Sequence, residues 1–255
     1  MRFVTVAVLI AIACGSAFAQ DSPQDNSPEA VARAQQSVSR LANIQMNWGV
    51  KMNSPGASVT VKETSRKSTG QQTVVFYRIF TSGMPKDETY SLVTTPFNLQ
   101  SMTASDGITL DNSGQAMTSG SPLDLGVVAA KGEPKRFSLV SEDGQSKAFF
   151  YVVPFPVKGA DHGCSVEELL LLQHAEAVLI QGSGFPDNST VHMKATSDKE
   201  VHEGDLKTDA SGNLSTVLLP FVKGETDGTG SVALSSQTCS PSLKYHWGLH
   251  SYQEE

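Results

Sequence analysis

The chain has 255 residues, 39% of them hydrophobic and 18% charged, enough apolar material for one or two cores and too much for a disordered tail. Its 19 Lys and Arg against 26 Asp and Glu give a formal net charge of −7, which, with no long basic run, disfavours an electrostatic nucleic-acid binder. Three cysteines exclude a disulfide-dense miniprotein and multi-cysteine metal clusters.

At the start, Arg2 supplies a positive charge and Phe3 to Ala13 form an apolar stretch broken only by Thr5. Ala17-Phe18-Ala19 then gives the small-x-small pattern that a signal peptidase needs before Gln20. Residues 1–19 therefore read as a secretory signal peptide. No later window approaches about 20 apolar residues, so no transmembrane helix is expected in the mature chain. Ala11-Ile12-Ala13-Cys14-Gly15 loosely matches a bacterial lipobox, with Ala where Leu is usual, and lipidation of Cys14 stands as the alternative to cleavage before Gln20. Either route takes Cys14 out of the thiol pool and leaves Cys164 and Cys239 as an even pair in an oxidising compartment. A disulfide between them is expected; two buried free thiols are the alternative.

Residues 20–44 read as a flexible leader followed by a short helix. Asn26-Ser27-Pro28-Glu29 is a helix start, and Ala30, Val31, Ala34, Val38 and Leu41 carry a weak amphipathic period to about Ala42. From Gln45 the pattern turns to short β-type runs between turn clusters, at Val59 to Val61, Val74 to Phe80, Thr89 to Thr94, Phe137 to Val140 and Ala148 to Val153. These predict a first all-β sandwich over 45–160. Pro154-Phe155-Pro156 and Lys158-Gly159-Ala160-Asp161 are expected to interrupt regular structure at a domain junction near residue 160. Ser165 with Glu168 matches a capping box, which predicts one or two helical turns over Glu167 to Gln173. Strands follow at Ala177 to Gln181, Thr190 to Ala195, Leu214 to Phe221 and Gly230 to Ser235, giving a second sandwich over 161–247 and a tail over 248–255.

An internal repeat is the strongest structural signal. Ser82-Gly83-Met84-Pro85-Lys86-Asp87-Glu88-Thr89-Tyr90-Ser91-Leu92 aligns without gaps to Ser183-Gly184-Phe185-Pro186-Asp187-Asn188-Ser189-Thr190-Val191-His192-Met193. Each copy is followed by Asp-x-Ser-Gly, at Asp111 to Gly114 and Asp209 to Gly212. Residues 178 to 236, through Val178-Leu179-Ile180-Gln181-Gly182-Ser183-Gly184-Phe185-Pro186, Thr190-Val191-His192-Met193 and Thr208-Asp209-Ala210-Ser211-Gly212, resemble immunoglobulin-like β-sandwich repeats of bacterial secreted and cell-surface proteins. The resemblance implies two tandem sandwiches and roles such as stalks, adhesion modules or enzyme appendages, and it brings no catalytic residues. The first half departs from it, with Met84 for Phe185 and Thr81 for Gly182.

Common enzyme signatures are absent: no Gly-x-Ser-x-Gly, His-Glu-x-x-His, phosphate loop or Rossmann fingerprint. His246 and His250 stand at i, i+4 and could ligate a metal only on a helix, which Gly248 opposes. His192, His202, Glu203 and Asp205 match no ligand spacing and read as hairpin polar residues; His162 and His174 complete the histidines. Asp209 to Asn213 lacks the alternating acids of a calcium loop and reads as a turn. Trp48 and Trp247 would be sugar-stacking residues if exposed, though core burial is the usual fate. Asn188 and Asn213 head glycosylation sequons that matter only in a eukaryotic host.

These readings imply an exported, extracytoplasmic module of the bacterial envelope or extracellular space, periplasmic or secreted, or lipid-anchored in the alternative. It is expected to be non-enzymatic and without cofactor or metal, its partner a protein or polysaccharide. A hydrolase or enzyme accessory domain with an unrecognised site is the competing class. The sequence leaves the oligomeric state open.

Overall fold

The computed structural model describes residues 28–70, 72–95, 103–118, 121–222, 224–249 and 251. The signal segment with Cys14, the leader up to residue 27 and His250 lie outside the described residues. Helix α1 (Pro28–Asn47) opens on Pro28 with Glu29 in its first turn, where a fixed φ and a negative charge both favour a helix start. It runs past the expected end at Ala42 because the stripe continues: Val38, Ala42 and Gln45 are all buried, one face at spacings of four and three.

The rest is all-β and divides into two compact units, Ile44–Phe155 and Pro156–Glu255, the latter grouped with the described part of Met1–Asn43. The first unit holds β1 (Ser58–Thr69), β2 (Gln72–Ser82), β3 (Thr89–Thr95), β4 (Thr103–Leu110), β5 (Ala116–Thr118), β6 (Ser121–Pro122), β7 (Asp124–Val127), β8 (Lys135–Ser141) and β9 (Lys147–Val152). The second holds β10 (Val157–Asp161), β11 (Cys164–Leu170), β12 (Val178–Ser183), β13 (Thr190–Ser197), β14 (Glu200–Lys207), β15 (Leu214–Leu218), β16 (Asp227–Ser235) and β17 (Ser242–Gly248).

Strand for strand, the two units share one topology. The first pairs β1-β2-β7 in one sheet and β6-β5-β4-β3-β8-β9 in the other; the second pairs β10-β11-β12-β15 and β14-β13-β16-β17. Every pairing is antiparallel. Thus β1, β2 and β7 correspond to β11, β12 and β15, while β3, β4, β8 and β9 correspond to β13, β14, β16 and β17. The first unit adds β5 and β6 beyond β4; the second adds β10 beside β11. Side chains alternate as a half-buried sheet requires. In the first unit Val75, Ile79, Tyr90, Leu110 and Leu139 are fully buried, and in the second Val166, Ile180, Val191, Leu234 and Trp247 are.

The sequence repeat is the corner at which the chain leaves one sheet for the other, from β2 to β3 and from β12 to β13. Gly83 and Gly184 take φ of +71° and +79°, and Asp87 and Asn188 take +60° and +50°; Met84 and Phe185 tuck into the two cores. The Asp-x-Ser-Gly turns share the same internal hydrogen bonds and dock on these corners at different positions. Asp111 Oδ1 accepts from the Ser113 and Gln115 N–H groups at 2.9 Å each, and Asp209 Oδ1 accepts from those of Ser211 and Asn213 at 2.8 and 2.9 Å. Thr81 N–H donates to the Gly114 carbonyl and Phe185 N–H to that of Gly212. A Cβ at Gly114 would strike the Thr81 carbonyl, and one at Gly212 the Phe185 carbonyl, so both positions need glycine for space as well as for positive φ.

Two local expectations are corrected. Residues Glu167 to Gln173 are not helical: β11 runs to Leu170, and only a 3-10 turn at Gln173–Ala175 follows. Pairing to β10 and β12 on both sides satisfies the backbone of this segment, which a helix of one or two turns could not match. Lys158 to Asp161 does not interrupt structure but forms most of β10. Gly159 permits it, since a Cβ there would collide with the Ser242 carbonyl on β17.

Candidate functional site

In the second unit β10 and β17 close one side of the sandwich, and the opposite side is bordered by β14 and β15, each the last strand of its sheet. Between these two edges lies a groove of about 340 Å³. Met193, Ala195 and His202 line one wall from the inward faces of β13 and β14. Leu218 and the segment that follows it, Leu219, Pro220 and Phe221, line the other. The Ser197 hydroxyl donates to the Pro220 carbonyl and ties the walls together. Val201, 53% exposed, and Leu219, 37% exposed, leave apolar surface at the rim.

Tyr245 reaches the groove from β17 by lying over Gly230 of β16, where any Cβ would overlap its ring. Behind it sits Glu168, in register with Ile180 and Thr216 across three strands. Glu168 is 1% exposed and its Oε1 has no hydrogen-bond partner among the described residues. Burial, with a smaller contribution from the neighbouring Glu167 carboxylate, pushes its pKa up to about 8. Burial and the Glu168 charge raise the Tyr245 phenol well above its ordinary value. Tyr245 is the only one of the two that lines the groove.

The five described histidines do not assemble into a chemical constellation. His192 pairs with Asp205 at 3.0 Å and Lys194 with Glu203 at 3.1 Å on the outward face of the β13–β14 ladder. His202 stands opposite Ala195, facing the groove, with Glu200 at 3.7 Å. His162 occupies the β10–β11 turn at 2.6 Å from Asp161, and His174 lies in the 3-10 turn. His246 is on a strand, not a helix, which removes the i, i+4 geometry on which a pairing with His250 depended. Among the described residues no group of three His, Cys, Asp or Glu is placed to hold a metal ion.

Trp48 and Trp247 are 5% and 0% exposed, so neither is a stacking platform. Asn188 and Asn213 are exposed in the repeat turns. Cys164, at the start of β11, is bonded to Cys239 across 75 residues. The groove itself has no signature in the sequence: it arises from the spatial approach of β14, whose sequence lacks an apolar strand pattern, and the segment after β15.

No helix among the described residues is long and apolar enough to cross a membrane. No protein-family model and no curated protein matches the chain. Among solved structures it is similar to a tetra-tandem repeat in the extending region of a large adhesion protein, at 13% identity and a TM-score of 0.27. That match covers 75% of this chain and 49% of the other, so the chain spans about half the length of that structure.

Proposed function

We propose that the protein is an exported, non-enzymatic binding module of the bacterial envelope or extracellular space, and that its ligand is an extended polypeptide segment held in the groove beside β14. The observation that carries this reading is a groove bordered by two sheet edges and lined by both apolar side chains, such as Met193, Leu219 and Phe221, and polar ones, such as Ser197, Glu200 and His202. Such edges present unpaired backbone N–H and C=O groups, which recognise another chain by strand addition, while pockets beside them select side chains. In the first unit the counterpart of β14, strand β4, already carries an added strand, β5, through Thr109 and Leu110. With both tryptophans buried, a sugar-stacking role has less support than a polypeptide ligand. The Cys164–Cys239 bond fits an oxidising compartment.

A displayed library of short peptides selected on the full exported protein tests this. Peptides are expected to be enriched that bind the wild type and lose binding at least tenfold to Leu219→Asp, a rim substitution that leaves the melting temperature unchanged. Binding that is equal on Leu219→Asp, or retention on cell-wall glycans with no peptide enriched, overturns the reading.

A further inference from the structure

Away from the groove, the first unit encloses a set of polar groups that its described residues leave unsatisfied. Strand β8 turns Phe137 and Leu139 into the core and therefore sends Arg136 and Ser138 to the other face of the sheet, where they are 2% and 0% exposed. The end of α1 lies over them. Gln45, 2% exposed, accepts from Arg136 Nε at 2.6 Å. Trp48 Nε1 donates to the Phe150 carbonyl at 2.9 Å and lies within 3.3 Å of that of Phe137, its ring edge-on to Phe149.

Three atoms in this layer have no hydrogen-bond partner among the described residues: Arg136 Nη1, Gln45 Nε2 and Ser138 Oγ. The Gln45 amide is one group, so Nε2 lies beside the guanidinium that its oxygen already contacts. Ser138 is two residues from Arg136 along an extended strand, about 7 Å between Cα atoms on the same face. All three atoms are hydrogen-bond donors, and two can only donate. Among the described residues no carboxylate is within ion-pair distance of Arg136, and the nearby Glu133 is engaged by Lys135 at 2.6 Å. Burial pulls the Arg136 pKa down to about 10, as befits a cation enclosed without a counter-charge.

We infer that Arg136, Gln45 and Ser138 form a binding site for one small anion, a halide or a carboxylate, enclosed between α1 and β8. The anion accepts from the three free donors, neutralises the guanidinium and fastens the end of the helix to the sheet. The site is separate from the groove and stands or falls independently of the binding role proposed for it.

The test uses the full chain in a Trp247→Phe background, so that Trp48 reports the first unit alone, dialysed into gluconate, an anion too large to be enclosed. Chloride, bromide or acetate is then added at constant ionic strength. The melting temperature is expected to rise with each small anion along a single-site saturation curve, and the chloride-35 resonance to broaden until bromide competes. Ser138→Ala is expected to weaken half-saturation about tenfold, the loss of one charge-assisted hydrogen bond. Arg136→Met is expected to abolish the response while melting in gluconate no lower than the parent. Equal melting temperatures in gluconate and in small anions overturn the inference, as does a response that persists unchanged in both variants; the chloride-35 measurement decides the matter if Arg136→Met does not fold.

Discussion

Glu168 makes the second unit less stable as pH rises. An acid whose folded pKa is raised binds its proton in the native state over a range where the unfolded chain has already lost it. Stability is therefore greatest below the unfolded value of 4.5 and falls until pH passes the folded value of about 8. At about 1.4 kcal/mol per unit, that interval corresponds to a loss of about 5 kcal/mol as an upper figure. Glu167 and Glu176, also raised by burial, add to it with the same sign. The carboxylates lowered by hydrogen bonds, Asp111, Asp143, Asp161 and Asp209, act in the opposite sense, but only below about pH 4. Between pH 5 and 8 the slope thus belongs mainly to Glu168. Urea unfolding of Trp48→Phe, in which Trp247 reports the second unit, is expected to show a midpoint that falls steadily over this range. Glu168→Gln keeps the shape without the titration and is expected to flatten the profile, gaining several kcal/mol on the parent at pH 8. Superimposable profiles for the two proteins would refute the reasoning.

Reducing the Cys164–Cys239 bond, or replacing both residues by Ser, frees a 75-residue loop and is expected to cost the second unit about 4 kcal/mol; denaturant unfolding with and without reductant measures it, with the first unit as internal control. Gly114→Ala and Gly212→Ala each drive a Cβ into a backbone carbonyl at positive φ. Each is expected to destabilise its own unit by about 2–4 kcal/mol, read as two separate shifts in a calorimetric scan. Gly230→Ala forces the Tyr245 ring off its seat and is expected to lower the second unit's stability and weaken peptide binding at the groove together, by titration calorimetry.

The corners were legible because their chemistry is local. Gly83, Gly184 and the Asp-x-Ser-Gly turns are required by φ and by close approach, and such requirements show in single residues. The strong apolar strands β2, β13 and β16 were equally plain. Strand β14 was not, since Glu200, His202, Glu203 and Asp205 give an edge strand the polarity of a loop. At β11, Ser165 and Glu168 carry a helix-start pattern that pairing on both flanks overrides, and the same Glu168 is a buried acid that interacts with Tyr245. Neither the groove nor the donor cluster around Arg136 has a sequence signature, because each is assembled from elements far apart in the chain, with Gln45 and Arg136 separated by 91 positions.

The Cys164–Cys239 bond also sets what the second unit can yield under tension. A force applied at its two ends, Pro156 and Glu255, bypasses everything between the two sulfurs, because the load passes through the covalent link. The residues enclosed between the two cysteines hold a contour of about 250 Å that no pull from outside can draw out while the bond is intact. Only the short segments flanking it, β10 on one side and β17 with the residues after it on the other, are free to peel away. Oxidised, the unit is a nearly inextensible link; reduced, it becomes a long and compliant one.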